Sequence, residues 1–310
     1  MDKIQAMRTF VRVVEAASFS AVANEINTSQ SAVSKQVAAL EADLGVKLLT
    51  RTTRALTLTD EGERYFEHAR RLVADISEVE SSIRKGKQQL TGWLRVGASV
   101  GFGRIKLMPF IQSFMAKHPS LKIDLRLNDG FVDVVEQGLD VVVRIGTLQD
   151  STMIARRVGM TYRIVLAHRS YVQSLASRSL PLPTIPEELL SHNCLVYTEM
   201  PTKNLWTFTA GASASEAVGT KRTIRVEGNL QTNSSEVIRA AVLAGMGIAY
   251  APIWMFEEEI RRGEMHEILP DWKPKSIPIS LVSPPERFHS AKVKAFADHI
   301  GMAMEAELKA

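Results

Sequence analysis

The sequence predicts an α/β chain in three parts: a small helical module with a two-stranded wing, one long helix, and a larger two-lobed α/β domain. Three observations predict it. Short helices with capping residues and apolar stripes fill the N-terminal end, a heptad stripe runs from Tyr65 to Ile83, and strand and helix patterns alternate from Trp93 onward. At 310 residues the chain is too long for one typical domain.

Asp2 can cap a first helix whose apolar face is Ile4, Met7, Phe10, Val11 and Val14, spaced by three and four. Ser18-Phe19-Ser20 ends it, and Ser20 is positioned to cap a short second helix from Ala21 to Ile26. Asn27 tolerates the left-handed backbone of a tight exit. Ser29 then caps a third helix, Gln30 to about Leu44, which Gly45 closes. Two helices joined by a three-residue turn, with Ala21 and Ala23 at the close approach, make a helix-turn-helix.

On the third helix Val33, Val37, Leu40 and Leu44 share one face and must be buried. Ser31, Lys35 and Ala38 lie opposite, with Ser34 beside them. Such a face suits water, and it equally suits a DNA major groove, where small side chains let the helix sit deep. The segment after Gly45 favours the groove. Lys47–Arg51 and Ala55–Leu58 read as two strands joined at Thr52-Thr53-Arg54, a wing that sets Arg51 and Arg54 beside phosphates or a minor groove. Residues 1–59 carry seven Lys and Arg against five Asp and Glu, so the position of the charge matters more than its sum.

Thr59 caps the long helix, which is expected to run to about Gln89. Tyr65, Ala69, Leu72, Ile76, Val79 and Ile83 follow a 4, 3, 4, 3, 4 spacing, the seam of a coiled coil with a second copy of the chain. Packing of the same stripe on its own domain is the competing reading.

The motifs of residues 1–90 resemble the DNA-binding half of LysR-type transcriptional regulators. They are Ser18–Ala23, Thr28–Gln36, Leu40-Glu41 with Leu44–Leu49, Arg51–Arg54, and Leu56–Thr59 with Gly62. The resemblance implies DNA contacts from Ser29, Gln30, Ser31, Ser34 and Lys35, and wing contacts from Arg51, Thr52 and Arg54. Ser31 stands where the family usually has Pro, Lys35 where Arg is frequent, and Asn27 where Gly is usual. Lys35 thereby lacks the bidentate fork of Arg.

From Trp93 the pattern changes. Trp93–Val96 is a strand, Ile105–His118 a helix stopped by Pro119, and Leu121–Leu127 an alternating strand. A short helix near Val132–Gln137 and an apolar strand Leu139–Ile145 complete a lobe expected to hold a parallel sheet. A second lobe begins near Arg163, with strands at Ile164–Ala167, Cys194–Tyr197, Thr223–Val226 and Ile248–Ala251 and a helix at Ser235–Gly245. Ile277–Val282 and a helix Phe288–Met304 return to the first lobe. The domains expected are thus 1–59, 60–91 and 92–310, with lobe I at about 92–162 and 267–310 and lobe II at about 163–266. The resemblance continues through Arg144-Ile145-Gly146 and Ala240–Ala249, and implies a periplasmic-binding-protein-like domain with a small-molecule effector in its cleft.

Strand-to-helix junctions should line that cleft: Ser99 and Val100, Asn128 and Asp129, and Asn233 and Ser234. Free N–H groups at helix starts suit an organic anion, although each residue could equally be a plain cap. The resemblance adds Thr202 and the neighbourhood of Ala249 and Tyr250, and it suggests a homotetramer of two dimers.

Enzyme readings find no support. Gly97, Gly101 and Gly103 follow a strand, but no third glycine falls at the dinucleotide spacing, and His192-Asn193-Cys194 is the only close His/Cys pair. No nucleophile motif is visible, and neither cofactor nor metal is implied. The Met1–Gln5 start shows no basic stretch before an apolar core, and Cys194 has no second cysteine to pair with. Both point to the cytoplasm. A solute-binding component of a transport system is the alternative, since the same two lobes would serve it.

Overall fold

The computed structural model describes residues 2–51, 56–85, 90–131, 133–148, 150–177, 179–273 and 276–307; the side chains at 51, 78, 79, 81–85, 273 and 307 are outside this description. Thr52 and Arg54, and the side chains of Arg51, Val79 and Ile83, therefore lie outside the described residues. The chain divides into two compact units, Met1–Trp93 and Leu94–Ala310.

The first unit holds α1 (Lys3–Ala16), α2 (Phe19–Glu25), α3 (Gln30–Leu44), β1 (Leu49–Arg51), β2 (Leu56–Leu58) and α4 (Asp60–Lys85). The Asp2 carboxylate caps α1 by accepting from Gln5 N at 3.1 Å. α2 starts earlier than expected: Ser18, not Ser20, is its cap, accepting from Ala21 N at 3.2 Å. The shift lets Phe19 enter the helix and bury its ring. Asn27 adopts φ 52°, the left-handed turn expected of it. Ser29 caps α3 through Ala32 N, and Gly45 closes it at φ 73°. Phe10, Val13, Val22, Val33, Leu40 and Leu48 form the solvent-free centre of this unit. β1 and β2 pair antiparallel, Leu49 opposite Leu58. Thr59 ties the wing to α4 by donating to Lys47 O and accepting from Gly62 N. A Cβ at Gly62 would lie 2.0 Å from Leu48 O, so only glycine lets α4 pass this close.

The second unit carries two five-stranded sheets. The first uses β3 (Gly92–Ala98), β4 (Leu121–Leu127), β5 (Val141–Ile145) and β6 (Ile154–Thr161), with α5 (Val100–Phe102), a π-turn at Gly103–Leu107 and α6 (Met108–Lys117) in between. After Tyr162 the chain enters the second lobe. That lobe holds β7 (Arg163–His168), α7 (Arg169–Ser177), β8 (Cys194–Tyr197), β9 (Leu205–Ala210), β10 (Lys221–Arg225), β11 (Gln231–Thr232) and α8 (Ser235–Leu243). It ends with β12 (Ile248–Pro252), α9 (Glu257–Arg261), β13 (Met265–Ile268) and β14 (Trp272–Lys273). β15 (Ile277–Ser283), α10 (Pro285–Phe288) and α11 (Ala291–Glu307) complete the first lobe. The strand orders are β4-β3-β5-β15-β6 and β11-β8-β12-β7-β13, with β10-β9-β14 as a smaller third sheet.

Three expectations need correction. The first sheet is mixed, because β15 runs antiparallel to both β5 and β6. The second lobe extends beyond 266: β13 pairs with β7 and β14 with β9, so the chain returns to the first sheet only with β15. No helix forms at 134–138, which is a run of turns held by the Asp133 carboxylate on Val135 N and Glu136 N. Each lobe has its own aromatic centre. Phe114 and Phe296 pack edge-on at 5.3 Å in the first. Trp206, Phe208, Trp272 and Tyr171 fill the second.

Candidate functional site

Two regions carry chemistry, one in each unit. In the first, Val33, Val37 and Leu40 of α3 are buried as expected, and Leu44 is half-buried. Burying that side leaves Ser29, Gln30, Ser31 and Lys35 exposed and Ser34 half-buried on the other. The Ser29 and Ser31 hydroxyls lie 2.9 Å apart. Lys35 makes no ion pair among the described residues, so a full positive charge stands free on a surface of small polar groups. The rest of the helix is locked. Gln36 accepts from the Thr9 hydroxyl at 2.6 Å, and buried Glu41 accepts from Lys47 Nζ (2.7 Å), Leu48 N (2.9 Å) and Leu49 N (3.2 Å). Burial pushes the Glu41 carboxyl up, but these donors outweigh it and hold its pKa below the ordinary value. Glu41 thus fixes the wing to α3, a residue that sequence reasoning passed over.

The stripe along α4 splits. Tyr65 packs its ring 5.7 Å from Phe10, and Ala69 is 1% exposed within the same core. These two residues are spent on their own unit and are removed from the expected seam. The helix faces α1 there, which a spacing pattern alone does not reveal. Leu72, by contrast, is 50% exposed and Ile76 half-buried.

In the second unit, two adjoining cavities share Ser99 and Ile145. One opens beside Ser99, Arg126, Asn128, Asp129 and Arg144. The other opens beside Arg163, Tyr197, Met200, Tyr250 and Trp254. Ser99 makes no capping hydrogen bond. Arg144 stacks its guanidinium 4.7 Å from the Phe131 ring centroid, and burial lowers its pKa.

The helix starts are not free, contrary to expectation. The Asp129 carboxylate accepts from Val100 N (2.9 Å), Ser235 N (2.7 Å) and Ser235 Oγ (2.8 Å). Ser235 Oγ in turn accepts from Gly101 N at 3.2 Å. Asp129 therefore serves as the anion at the starts of α5 and α8 and joins the lobes. Ser234 caps α8 through Val237 N. Asn233 and Thr202 are exposed and line neither cavity, and Ala249 is fully buried within β12. Of the residues singled out from the sequence, the structure gathers Ser99, Asn128, Asp129 and Tyr250 around the cavities. The arginines that line them were missed, because only the sheet register brings them there. Among the described residues no group of His, Cys, Asp and Glu is placed to hold a metal ion, and no helix is long and apolar enough to cross a membrane.

Comparison with known proteins matches both regions. Residues 4–63 match the bacterial regulatory helix-turn-helix proteins of the lysR family, and residues 87–305 match the LysR substrate binding domain. The HTH-type transcriptional regulator YhjC of Escherichia coli K12 is 32% identical over 98% of this chain and 99% of its own length. The HTH-type transcriptional activator AaeR of the same organism is 32% identical, covering 90% of this chain and 86% of its own. CrgA of Neisseria meningitidis, a LysR-type regulator of known structure, superposes with TM-score 0.61 at 28% identity over 97% of this chain and 98% of its own. The full-length virulence activator AphB of Vibrio cholerae gives 0.57 at 28% identity, covering 96% and 97%.

Proposed function

Since this chain belongs to the LysR family of bacterial transcriptional regulators, we propose that α3 reads promoter DNA through Ser29, Gln30, Ser31, Ser34 and Lys35. In the same proposal, a small organic anion in the inter-lobe cleft controls that binding. The chain is a DNA-binding regulator with an effector domain, and its relatives are regulators, not enzymes or transport components. The observation that carries the groove assignment is the free charge of Lys35 on an otherwise small and polar helix face, beside a wing fixed by Glu41. Small side chains allow close approach, Gln30 and Lys35 reach base edges, and each well-placed pair discriminates by ~1–3 kcal/mol. Arg51, Thr52 and Arg54 are proposed to meet the backbone beside the groove.

Two copies are proposed to pair along the exposed stripe of α4 around Leu72 and Ile76, with Val79 and Ile83 continuing it, so that two reading heads meet a pseudo-palindromic site. Two such dimers would form the working tetramer, acting in the cytoplasm. The division into residues 1–59, 60–91 and 92–310 is proposed as the functional one. Ser99, Asn128 and Tyr250 are retained as effector contacts; Val100, Asp129 and Ser234 instead build the frame of the cleft. Coupling between effector and DNA of ~1–3 kcal/mol suffices to change occupancy several-fold.

A gel shift tests this reading, with an intergenic fragment upstream of the chain's own gene against random duplex of equal length. Tighter binding to the promoter fragment, steeply reduced by salt, is expected. Equal affinity for both duplexes at every salt concentration contradicts the proposal.

A further inference from the structure

We infer that Arg163 anchors the charged group of the effector, and that the effector is a monoanion carried on a flat apolar body. This rests on the cleft being the effector site.

Arg163 opens β7 opposite Pro252 of β12 and is half-buried. Its guanidinium has no carboxylate and no hydrogen-bond partner among the described residues; it lies against the face of Tyr250, whose centroid is 5.9 Å from the guanidinium carbon. Other partly buried arginines of this unit are satisfied: Arg239 pairs with Glu259 and Arg126 with Asp124. Burial holds the pKa of Arg163 below its ordinary value, yet an arginine stays charged at neutral pH. A desolvated cation without an acid is costly to keep unless something anionic visits it.

The surroundings state what kind of anion fits. Burial pushes the Tyr197 and Tyr250 phenols up, so both stay protonated near neutrality and can donate to a carboxylate. Neither hydroxyl has a hydrogen-bond partner among the described residues. The Tyr250 ring is held by Trp206 and Phe208 at 5.5 and 5.6 Å. Apart from Ser99 and Ser235 the remaining wall is largely apolar, with Met200, Ile238, Pro252 and Trp254, the last braced edge-on by Phe102 at 5.4 Å. Asp129, whose charge is felt at Tyr197, already spends both oxygens on Val100 and Ser235. One cation and two phenols therefore suit one carboxylate, while a second carboxylate set against Met200, Ile238 and Pro252 would find no donor.

Calorimetric titration of the full chain with benzoate, benzamide and succinate tests this. Benzoate is expected to bind at least about tenfold more tightly than its neutral isostere and than the dicarboxylate. Arg163→Gln should weaken benzoate binding by about 10- to 100-fold with benzamide unchanged, and Arg163→Lys should fall between. Because the Arg163 guanidinium has no ion pair or hydrogen bond to lose among the described residues, Arg163→Gln should melt close to the wild type, which separates lost binding from lost folding. Undiminished benzoate binding by Arg163→Gln, tighter binding of succinate, or no binding of any probe by the wild type overturns the inference. Ser99→Tyr, which fills the wall shared by both cavities, locates the failure. If it abolishes benzoate binding while Arg163→Gln does not, the cleft stands and the anchor falls. If benzoate binds undisturbed by either change, the cleft reading falls as well.

Discussion

Asp129→Ala should loosen the junction between the two lobes more than any other single carboxylate removal on that surface. Its oxygens receive Val100 N, Ser235 N and Ser235 Oγ at 2.7–2.9 Å, and Ser235 is buried. Hydrogen bonds to a charged acceptor contribute ~1.5–3 kcal/mol each, so three give an upper bound of roughly 5–9 kcal/mol. Half-burial of Asp129 lets water replace part of this, leaving about 3 kcal/mol as the expected loss. For a domain of this size each kcal/mol shifts the melting point by roughly 2–4 °C, so calorimetry should show the effector domain melting about 6–12 °C lower. Asp124→Ala, which breaks only the neighbouring partly exposed pair with Arg126, should lose no more than ~1 kcal/mol. A double-mutant cycle of Asp129→Ala with Ser235→Ala should return a coupling of about 1–2 kcal/mol. A melting point for Asp129→Ala within about 1 °C of wild type, or additive effects in the cycle, would refute the role assigned to this carboxylate.

Further substitutions probe the same geometry. Leu72→Glu with Ile76→Glu should convert the chain to a species of half the mass by analytical ultracentrifugation at low concentration; sedimentation like that of the wild type removes α4 as the seam. Glu41→Gln should cost about 1–2 kcal/mol near neutral pH through weaker bonds to Leu48 N and Leu49 N. Its folded pKa is lowered, so the stabilisation is complete above the ordinary value of 4.5 and is lost as pH falls through the folded value. Chemical denaturation should therefore show wild type and variant converging in acid and separating above about pH 5, and a constant gap would contradict the assignment. Cys194 is fully buried and its thiol is pushed up to about 12; mass spectrometry should find it unalkylated by iodoacetamide in the native chain at pH 8 and fully alkylated in urea.

The local features were the ones legible in the residues. Ser29 and Gly45 bound α3 because a cap and a left-handed exit are decided within a few residues. Ser18 and Ser20 were harder to separate, since either can cap, and the choice fell to the burial of Phe19. Heptad spacing on α4 did not distinguish a partner helix from α1, which claims Tyr65 and Ala69. The cleft was legible in outline only. Asp129 and Ser235 meet across 106 positions of chain, and nothing local marks a carboxylate as a built-in cap for a distant helix. Arg163 became conspicuous only once the β7–β12 register placed it by Tyr250 without an acid. Long-range pairing of that kind is set by tertiary packing, which spacing rules do not encode.

The entry of the α3 face into a DNA groove is tested most directly by the salt dependence of binding by Lys35→Ala, measured on promoter and random duplexes. Loss of a base contact predicts at least about tenfold weaker promoter binding and a smaller preference over random duplex. If Lys35 meets a phosphate instead, affinity should fall on both duplexes and the slope of log affinity against log salt should shrink by about one per contact. Binding indistinguishable from wild type on both duplexes, at every salt concentration, would show that this helix faces only water.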